Sequence, residues 1–598
     1  AATSWQVADT ECTTANGAVL HRLTGRRLGF GDLVARAAQL PVPENPPLRD
    51  RAEFTLVGGR VPDPAQRDIA RGSMVYGMDL RRPGMLYATV ARCPVHGGRV
   101  ASFDAASTLS VAGVRQVVPI RTGVAVVAST TWAAMKGRDA LRVQWDEGRN
   151  VSLGTADTWR LLEEALARGG KVARANGDAR AVIAGSRRTM EAVYRWPWNA
   201  HAAMEPLNAV ADVREGSCEI WTGTQSPNRV QANAAALLGI APGRVVVHVL
   251  RLGGGFGRRI ADDYVQEAVE VSRATGTPVQ VVWTREDDFQ HDMYNPAQLN
   301  SMAAALGDDG LPVAWSHRVG DFHLSMFGSY DPNFDPATSG DPWGGIDAPY
   351  VFPNTHVELA IAESPVPTGA WRAVTYPAAV IARECFLDEI AHATGRDPLE
   401  IRLALIPSPG TTRRGSLALD NGDRLRRVLR LAAERAGWGT RPAGIPENRR
   451  WGRGIACNPY HQTTMVAQVA DVSVGTAGDV VVHRVVCAVD CGVVVNRSGV
   501  EKQFEGGVMW ALSALLGNAV EFERGRTRGG NFGDYPVMRM RQAPAVEVHV
   551  VESGDRPFGL GEPPVPAVAP AVLNAIYAAT GKRIREVPIR AQDLALPT

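Results

Sequence analysis

Residues 245–271 read VVVHVLRLGGGFGRRIADDYVQEAVEV. The run Val245 to Leu250 is apolar enough for a buried strand. Beyond Asp262, residues Val265, Ala268, Val269 and Ser272 recur at helical spacing, with acids in the first turn and Gly276 as the stop. PVQVVWTR (278–285) reads as the next strand. The five residues Gly253-Gly254-Gly255-Phe256-Gly257 therefore occupy a strand-to-helix turn. Glycine surrenders the most backbone freedom on folding, so four glycines around one phenylalanine imply a close approach to the main chain. Such turns offer N–H groups to anions or flat cofactors. The spacing matches neither the dinucleotide fingerprint nor the phosphate-cradling loop. From these residues alone a plain tight turn stays open.

Working outward, 598 residues are enough for several cores and more than one domain. Sixty-four basic against 62 acidic residues leave a net charge of +2, which gives neither a nucleic-acid footprint nor an acidic tail. The longest apolar run, Val508 to Leu516, is too short to span a bilayer, and no N-terminal export signal is visible. The seven cysteines are scattered and odd in number, which argues against a disulfide framework. Their closest pair, Cys487 and Cys491, is C-x3-C in an apolar setting and reads as packed small hydrophobes. Without a C-x2-C there is no basis for an iron–sulfur cluster or structural zinc on this chain.

The expected organisation is an N-terminal segment and proline-rich linker (1–50), a small α/β domain (51–150), and two larger mixed domains (151–440 and 441–598). LYATVARC (86–93), VRQVVPI (114–120) and GVAVVAS (123–129) read as strands, and TTWAAMKGRDAL (130–141) as a helix. DEIAHATGRDPLEIRLALI (388–406) reads as two helices broken at Gly395, the second capped by Asp397 with Pro398 at its first position. RRVLRLAAERAG (426–437) is a basic amphipathic helix with a solvated face. The last domain reads as β-rich and ending in one helix. His201 and Glu205 in HAAMEP are spaced like a metal pair, but Pro206 ends any helix there, so the pair reads as structural.

A second island lies near the C-terminus, in FGLGEPPVPAVAPAVLNAIYAATG (558–581). Glu562 sits in a Gly-Glu-Pro-Pro turn before an apolar helix closed by Gly581. Desolvation would raise this carboxyl and a helix N-terminus would lower it; which prevails is open from sequence. A fixed, half-buried carboxylate is what a general base needs.

Together the islands resemble the molybdenum-pterin-binding large subunits of the xanthine oxidase/aldehyde oxidase family. The resemblance is to the branch of isoquinoline oxidoreductase beta-subunits and membrane-associated aldehyde dehydrogenases. It is carried by GSMVYGMDLRRPGMLYATVARCPVHGGRVASFD (72–104), NAHAAMEPLNAVADV with WTGTQSPN (199–228), LGGGFGRR (252–259) and GAWRAV (369–374). ECFLDEIAHATGRDPLEIRLAL (384–405), DCGVVVN with QFEGG (490–507) and GLGEPP (559–564) complete it. The implied fold is mixed α+β: a hammerhead α/β domain and two molybdenum-cofactor-binding domains. The implied reaction is hydroxylation of an electron-poor carbon with oxygen from water.

The resemblance implies a role for each matched residue. Glu562 matches the catalytic base, Arg372 an arginine that steadies a developing oxyanion, and Gln225 a glutamine bonded to a metal ligand. Phe256 matches the aromatic facing the metal, and Gly254, Gly255 and Gly257 the backbone that lets a pterin approach. Gln503, Gly506 and Gly561 fall where the family contacts the cofactor. No metal ligand is expected from protein side chains, because the pterin holds the metal. Purine-oxidising relatives clamp substrate with charged groups where this chain has Ile260 and Tyr294. An aromatic that usually follows the arginine is Val374. The expected pocket, Phe256, Ile260, Tyr294 and Val374, is apolar and suits an aldehyde first, an N-heteroaromatic second, and not xanthine.

Molybdopterin cytosine dinucleotide is the implied cofactor. The implied partners are a small subunit carrying two [2Fe-2S] clusters and, where such an enzyme is membrane-associated, a cytochrome c. Relatives of the isoquinoline type begin with a Gly-x-Gly-Gln loop segment, and AATSWQVADTECTTANG (1–17) resembles its tail. A separate chain, a cleaved precursor or a fragment would each account for that. The expected location is periplasmic, at the inner membrane through partners, with the cytoplasm as the alternative. The rival of another class is a scaffold protein without cofactor.

Overall fold

A computed structural model describes residues 1–46, 48–328, 330–331, 348–407, 422–444 and 446–595. It forms two compact units, 1–57 and 58–598. In the first, the antiparallel strands Cys12–Ala15, Ala18–His21 and Arg27–Gly29 precede the helix Phe30–Ala37. Residues 41–46 and 48–49 are exposed and without regular structure, as four prolines in nine residues require.

The second unit is mixed α+β. Among the described residues its largest sheet has seven strands. Leu86–Ala91, Val114–Ile120 and Gly123–Ala128 share it with Asn208–Arg214, Ser217–Thr222, Val245–Val249 and Val279–Val282. The strand-to-helix reading of 245–276 is realised: the helix runs Asp263–Thr275, and Gly276 ends it with φ +67°. Val265, Ala268, Val269 and Ser272 are all fully buried. They face the sheet because a 3.6-residue period puts them on one stripe.

A five-stranded sheet orders Thr189–Trp196, Gln298–Leu306, Pro312–Phe322, Asn354–Ala362 and Lys171–Asn176. A four-stranded sheet orders Arg450–Tyr460, Thr464–Val474, Val480–Asp490 and Ala545–Val550. Every residue of Thr464–Val474 is buried, so this strand is covered on both faces. Helices Gly422–Ala436 and Val568–Thr580 pack against the same sheet. The first is amphipathic as expected, with Leu425, Val428, Leu429 and Ala432 buried and Arg427 half in solvent. The second comes unusually close. A Cβ on Gly452 would lie 2.1 Å from the Ala575 carbonyl oxygen, and one on Gly454 2.2 Å from that of Ala571. Two glycines on one strand face thus let the helix backbone rest on the sheet. Val568, Val572, Leu573 and Ile576 are buried there, each contributing about 1.5–3 kcal/mol.

The break at Gly395 separates Tyr376–Ala393 from Pro398–Leu405, and Asp397 accepts the N–H groups of Leu399 and Glu400 at 2.7 and 3.2 Å. The final region holds the four-stranded sheet and the helix Val568–Thr580 near its end, and it also contains a helix that the sequence reading did not mark. Arg497–Leu516 is a 20-residue helix, capped by the Asn496 side chain on the Gly499 N–H. Packing stabilises it despite Gly506, Gly507 and two valines, which lower helix propensity. All seven cysteines are free, and burial raises Cys487 to about 12 and Cys491 to about 11, as for inert packed thiols. No described helix is long and apolar enough to cross a membrane.

Candidate functional site

The glycine turn is held by its own chain. Glu205 accepts the Gly253 N–H at 2.9 Å and pairs with Arg259 at 2.9 Å, while Arg259 Nε donates to the Gly254 carbonyl at 2.8 Å. Gln225 Oε1 accepts the Gly257 N–H at 3.1 Å. These contacts explain the glycines more directly than a ligand does. An added Cβ would stand 2.3 Å from Glu205 Cβ at position 253, 2.6 Å from Gln225 Oε1 at 255, and 1.5 Å from the Ala370 carbonyl oxygen at 257. The close approach inferred from sequence is therefore first one between segments of this protein. Gly257 also has φ +111°, and Phe256 itself sits at φ +53°.

Ala370 begins the segment that carries Arg372. Ala373 and Val374 follow at φ +76° and +51°, conformations that cost an L-residue about 1–3 kcal/mol each and persist only where surroundings enforce them. Arg372 Nε donates to the Gly561 carbonyl at 2.6 Å, and Nη2 to Gln503 Oε1 at 2.9 Å. One guanidinium thus joins the Ala370 segment, the helix Arg497–Leu516 and the turn holding Glu562. Burial lowers its pKa, and the nearby Glu562 carboxylate opposes that.

Glu562 is half-buried, and its carboxylate has no hydrogen-bond partner among the described residues. Its carbonyl accepts the Val565 N–H at 3.0 Å, and the helix starts only at Val568. The carboxylate therefore stands before, not within, the first helical turn, so the dipole acts on it weakly. The buried Gln468 fixes the turn by donating to the Pro564 carbonyl at 2.9 Å.

Phe256 is brought to the same place by stacking. Its ring lies 4.1 Å from that of Trp510, which lies 5.1 Å from Trp371. Trp510 shares a helix with Gln503 and Gly506, and Trp371 adjoins Arg372. The sequence signalled neither tryptophan; Trp510 lay inside a run read only as apolar. Phe256, Gln225, Arg372, Gln503, Gly506, Gly561 and Glu562 consequently form one connected neighbourhood built from distant segments of the chain. Beside it, Ile260 and Val374 pack with Ala261, Met293, Met326 and Ala370. Tyr294 stands apart from that cluster. It is fully enclosed, with its hydroxyl bonded to the Phe289 carbonyl and to Thr527 Oγ1, both at 2.7 Å.

The residues fit a flat organic group that brings its own metal. Among the described residues no three His, Cys, Asp or Glu side chains are grouped to hold an ion. His201 and Glu205 engage Asp292 and Arg259 instead. Gln503 and Gly506 are exposed. A Cβ on Gly506 would meet only Arg372 Nη1, at 3.8 Å, and one on Gly559 or Gly561 nothing within 4 Å. This open, side-chain-poor face borders the unpartnered carboxylate.

Models of the molybdopterin cofactor-binding domain match residues 165–405 and 431–544. The chain is 31% identical to the beta subunit of isoquinoline 1-oxidoreductase from Brevundimonas diminuta, over 99% of this chain and 79% of that protein. It is 31% identical to one of the subunits of nicotinate dehydrogenase from Pseudomonas putida, over 95% and 49%. The membrane-bound aldehyde dehydrogenase of Gluconacetobacter polyoxogenes is 29% identical, over 98% and 78%. The fold is similar to those of quinoline 2-oxidoreductase from Pseudomonas putida 86 (TM-score 0.74, 17% identity, 90% and 98% covered) and aldehyde oxidoreductase from Desulfovibrio gigas (TM-score 0.76, 17%, 92% and 81%).

Proposed function

The chain belongs to the molybdopterin-binding large subunits of the molybdenum hydroxylases, the xanthine oxidase family, and from that premise we propose that it oxidises an uncharged aldehyde to the carboxylic acid. The observation carrying this reading is the half-buried Glu562 carboxylate, without a hydrogen-bond partner among the described residues, beside Arg372 and the apolar cluster of Ile260 and Val374. Bound there, the molybdenum cofactor supplies two-electron oxidation of a C–H carbon with oxygen taken from water. Glu562 is the base that accepts the proton released from that water, a role that favours a carboxylate no other donor occupies. Arg372 is held by Gln503 and Gly561, so its guanidinium is preorganised to steady negative charge on the substrate oxygen. Phe256, backed by Trp510, forms a wall against which a planar substrate aligns. Ile260 and Val374 leave the pocket without the charged pair that would hold a purine. Gln225, Gln503 and Gly506 hold the cofactor, in its cytosine dinucleotide form.

Aldehyde plus water gives acid, two protons and two electrons. The electrons pass to a partner with two [2Fe-2S] clusters, and onward to a cytochrome c in a periplasmic, membrane-associated assembly. A second reading, hydroxylation of an N-heteroaromatic ring, is favoured by the stacked Phe256–Trp510–Trp371 wall and by the names of two relatives. Turnover of a substrate panel with a dye acceptor tests both. Aldehydes above heteroaromatics supports the first reading, the reverse order the second, and xanthine as the best substrate refutes both.

A further inference from the structure

The carbonyl of Ala370 is the meeting point of the two segments that carry Phe256 and Arg372. On one side stands Gly257, whose missing Cβ makes the contact. On the other stands His201, whose Nε2 lies 3.2 Å from the same oxygen. The other ring nitrogen, Nδ1, faces Asp292 at 3.0 Å, and the His201 backbone N–H donates to that carboxylate at 2.6 Å. Asp292 forms an ion pair with Arg258, whose Nε lies 2.9 Å away outside hydrogen-bonding geometry, and Arg258 is held by a bidentate pair with Asp263 at 2.8 and 2.7 Å. The side chains of His201, Asp292 and Arg258 are each 1% exposed. Both imidazole nitrogens thus face oxygen atoms of neighbouring segments, Asp292 on one side and Ala370 on the other. Nothing in the proposed chemistry uses this group, and it touches neither the carboxylate of Glu562 nor the open face.

We infer that His201 is a positioning residue: anchored by Asp292, it clamps the Ala370 carbonyl against Gly257 and so sets where Arg372 and Phe256 stand. The clamp acts at the start of the segment whose residues 373 and 374 occupy unfavourable backbone conformations, which need external restraint. Two residues from the clamp, Arg372 spans to Gln503 and Gly561. One residue from it, Trp371 stacks on Trp510, and Trp510 on Phe256. A shift of Ala370 is therefore transmitted to both arms of the site at once. Burial alone would raise the Asp292 carboxyl, but His201 and Arg258 hold it below the usual carboxylate range, consistent with a fixed ionic anchor.

The link to rate rests on the proposed reaction; the clamp itself does not. The test compares His201→Phe, which fills the space without a donor, with His201→Gln, which retains one that can reach Ala370. The first readout is the near-ultraviolet circular dichroism couplet of the Trp371–Trp510 pair, assigned by its loss in Trp510→Phe. The second is turnover of the assembled enzyme. His201→Phe is expected to lose the couplet and to lower kcat about a hundredfold, the scale of an ångström-sized misplacement, with KM nearly unchanged. His201→Gln is expected to keep the couplet and to stay within about fivefold of the wild-type rate. A normal couplet in His201→Phe, a lost couplet at unchanged rate, or equal losses in both variants would overturn the inference. Should His201→Phe not fold, His201→Met is read in its place. An inactive wild-type enzyme would count against the proposed reaction, while the couplets still decide the clamp.

Discussion

Replacing Gly257 with alanine should disable the site while leaving the rest of the molecule folded. The new Cβ would be built 1.5 Å from the Ala370 carbonyl oxygen. Ordinary contact begins near about 3.5 Å, so the two segments must part by roughly 2 Å. Neither side can yield by rotating a side chain, because the obstacle is backbone. The backbone at φ +111° adds strain of about 1–2 kcal/mol or more for any L-residue. Displacing Phe256 and Arg372 by that distance should reduce kcat by at least about a hundredfold. Gly239→Ala is the control, since it has φ +68° but nothing within 4 Å of the added atom; it carries the conformational cost without the collision. Turnover with a dye acceptor, measured beside molybdenum content, separates lost chemistry from lost cofactor. A Gly257→Ala enzyme working within about threefold of wild type would refute the packing argument.

Glu562→Gln should keep fold and molybdenum yet lose about two to four orders of magnitude in kcat, and near-normal turnover would remove Glu562 as the base. Arg372→Met cuts the links to Gln503 and Gly561 and should lower kcat about a hundred- to a thousandfold, checked by steady-state kinetics across an aldehyde series. Acid sensitivity should follow from the buried His96 and the half-buried His291, which desolvation depresses to about 4 and about 3. Below about pH 6.5 the unfolded chain binds protons that the folded one refuses, so the unfolding midpoint should fall as pH drops from there toward 4. His291→Phe should flatten that slope, as differential scanning across pH would reveal.

The parts of the site that were legible in sequence are those whose chemistry is local. Glu562 between glycine and prolines, Arg372 in GAWRAV and Phe256 among glycines each sit in a short motif, and each joins the connected neighbourhood. What sequence could not convey depends on contacts between distant segments. The glycines at 255 and 257 answer to Gln225 and Ala370, far away in the chain. Trp510 lies in a run that sequence marks only as apolar and Trp371 in GAWRAV, and it is stacking that ties both to Phe256. The helix Arg497–Leu516 was missed because its glycines and valines weaken the local signal while tertiary burial decides the outcome. Tyr294 was placed with the pocket by position along the chain; its hydroxyl is instead engaged by Phe289 and Thr527 in a closed aromatic cluster.

In the proposed enzyme the helix face bearing Gln503 and Gly506, together with the turn bearing Glu562, cradles one molybdenum cofactor. The most direct measurement is molybdenum bound per chain in Gly506→Leu compared with wild type, each purified with its native partners. Because a Cβ there meets only Arg372 Nη1 at 3.8 Å, and leucine favours a helix by somewhat less than about 1 kcal/mol over glycine, the variant should fold at least as well. Wild type should carry stoichiometric molybdenum and Gly506→Leu almost none. Full molybdenum loading in that variant, or none in the wild type, would place the cofactor elsewhere or nowhere on this chain.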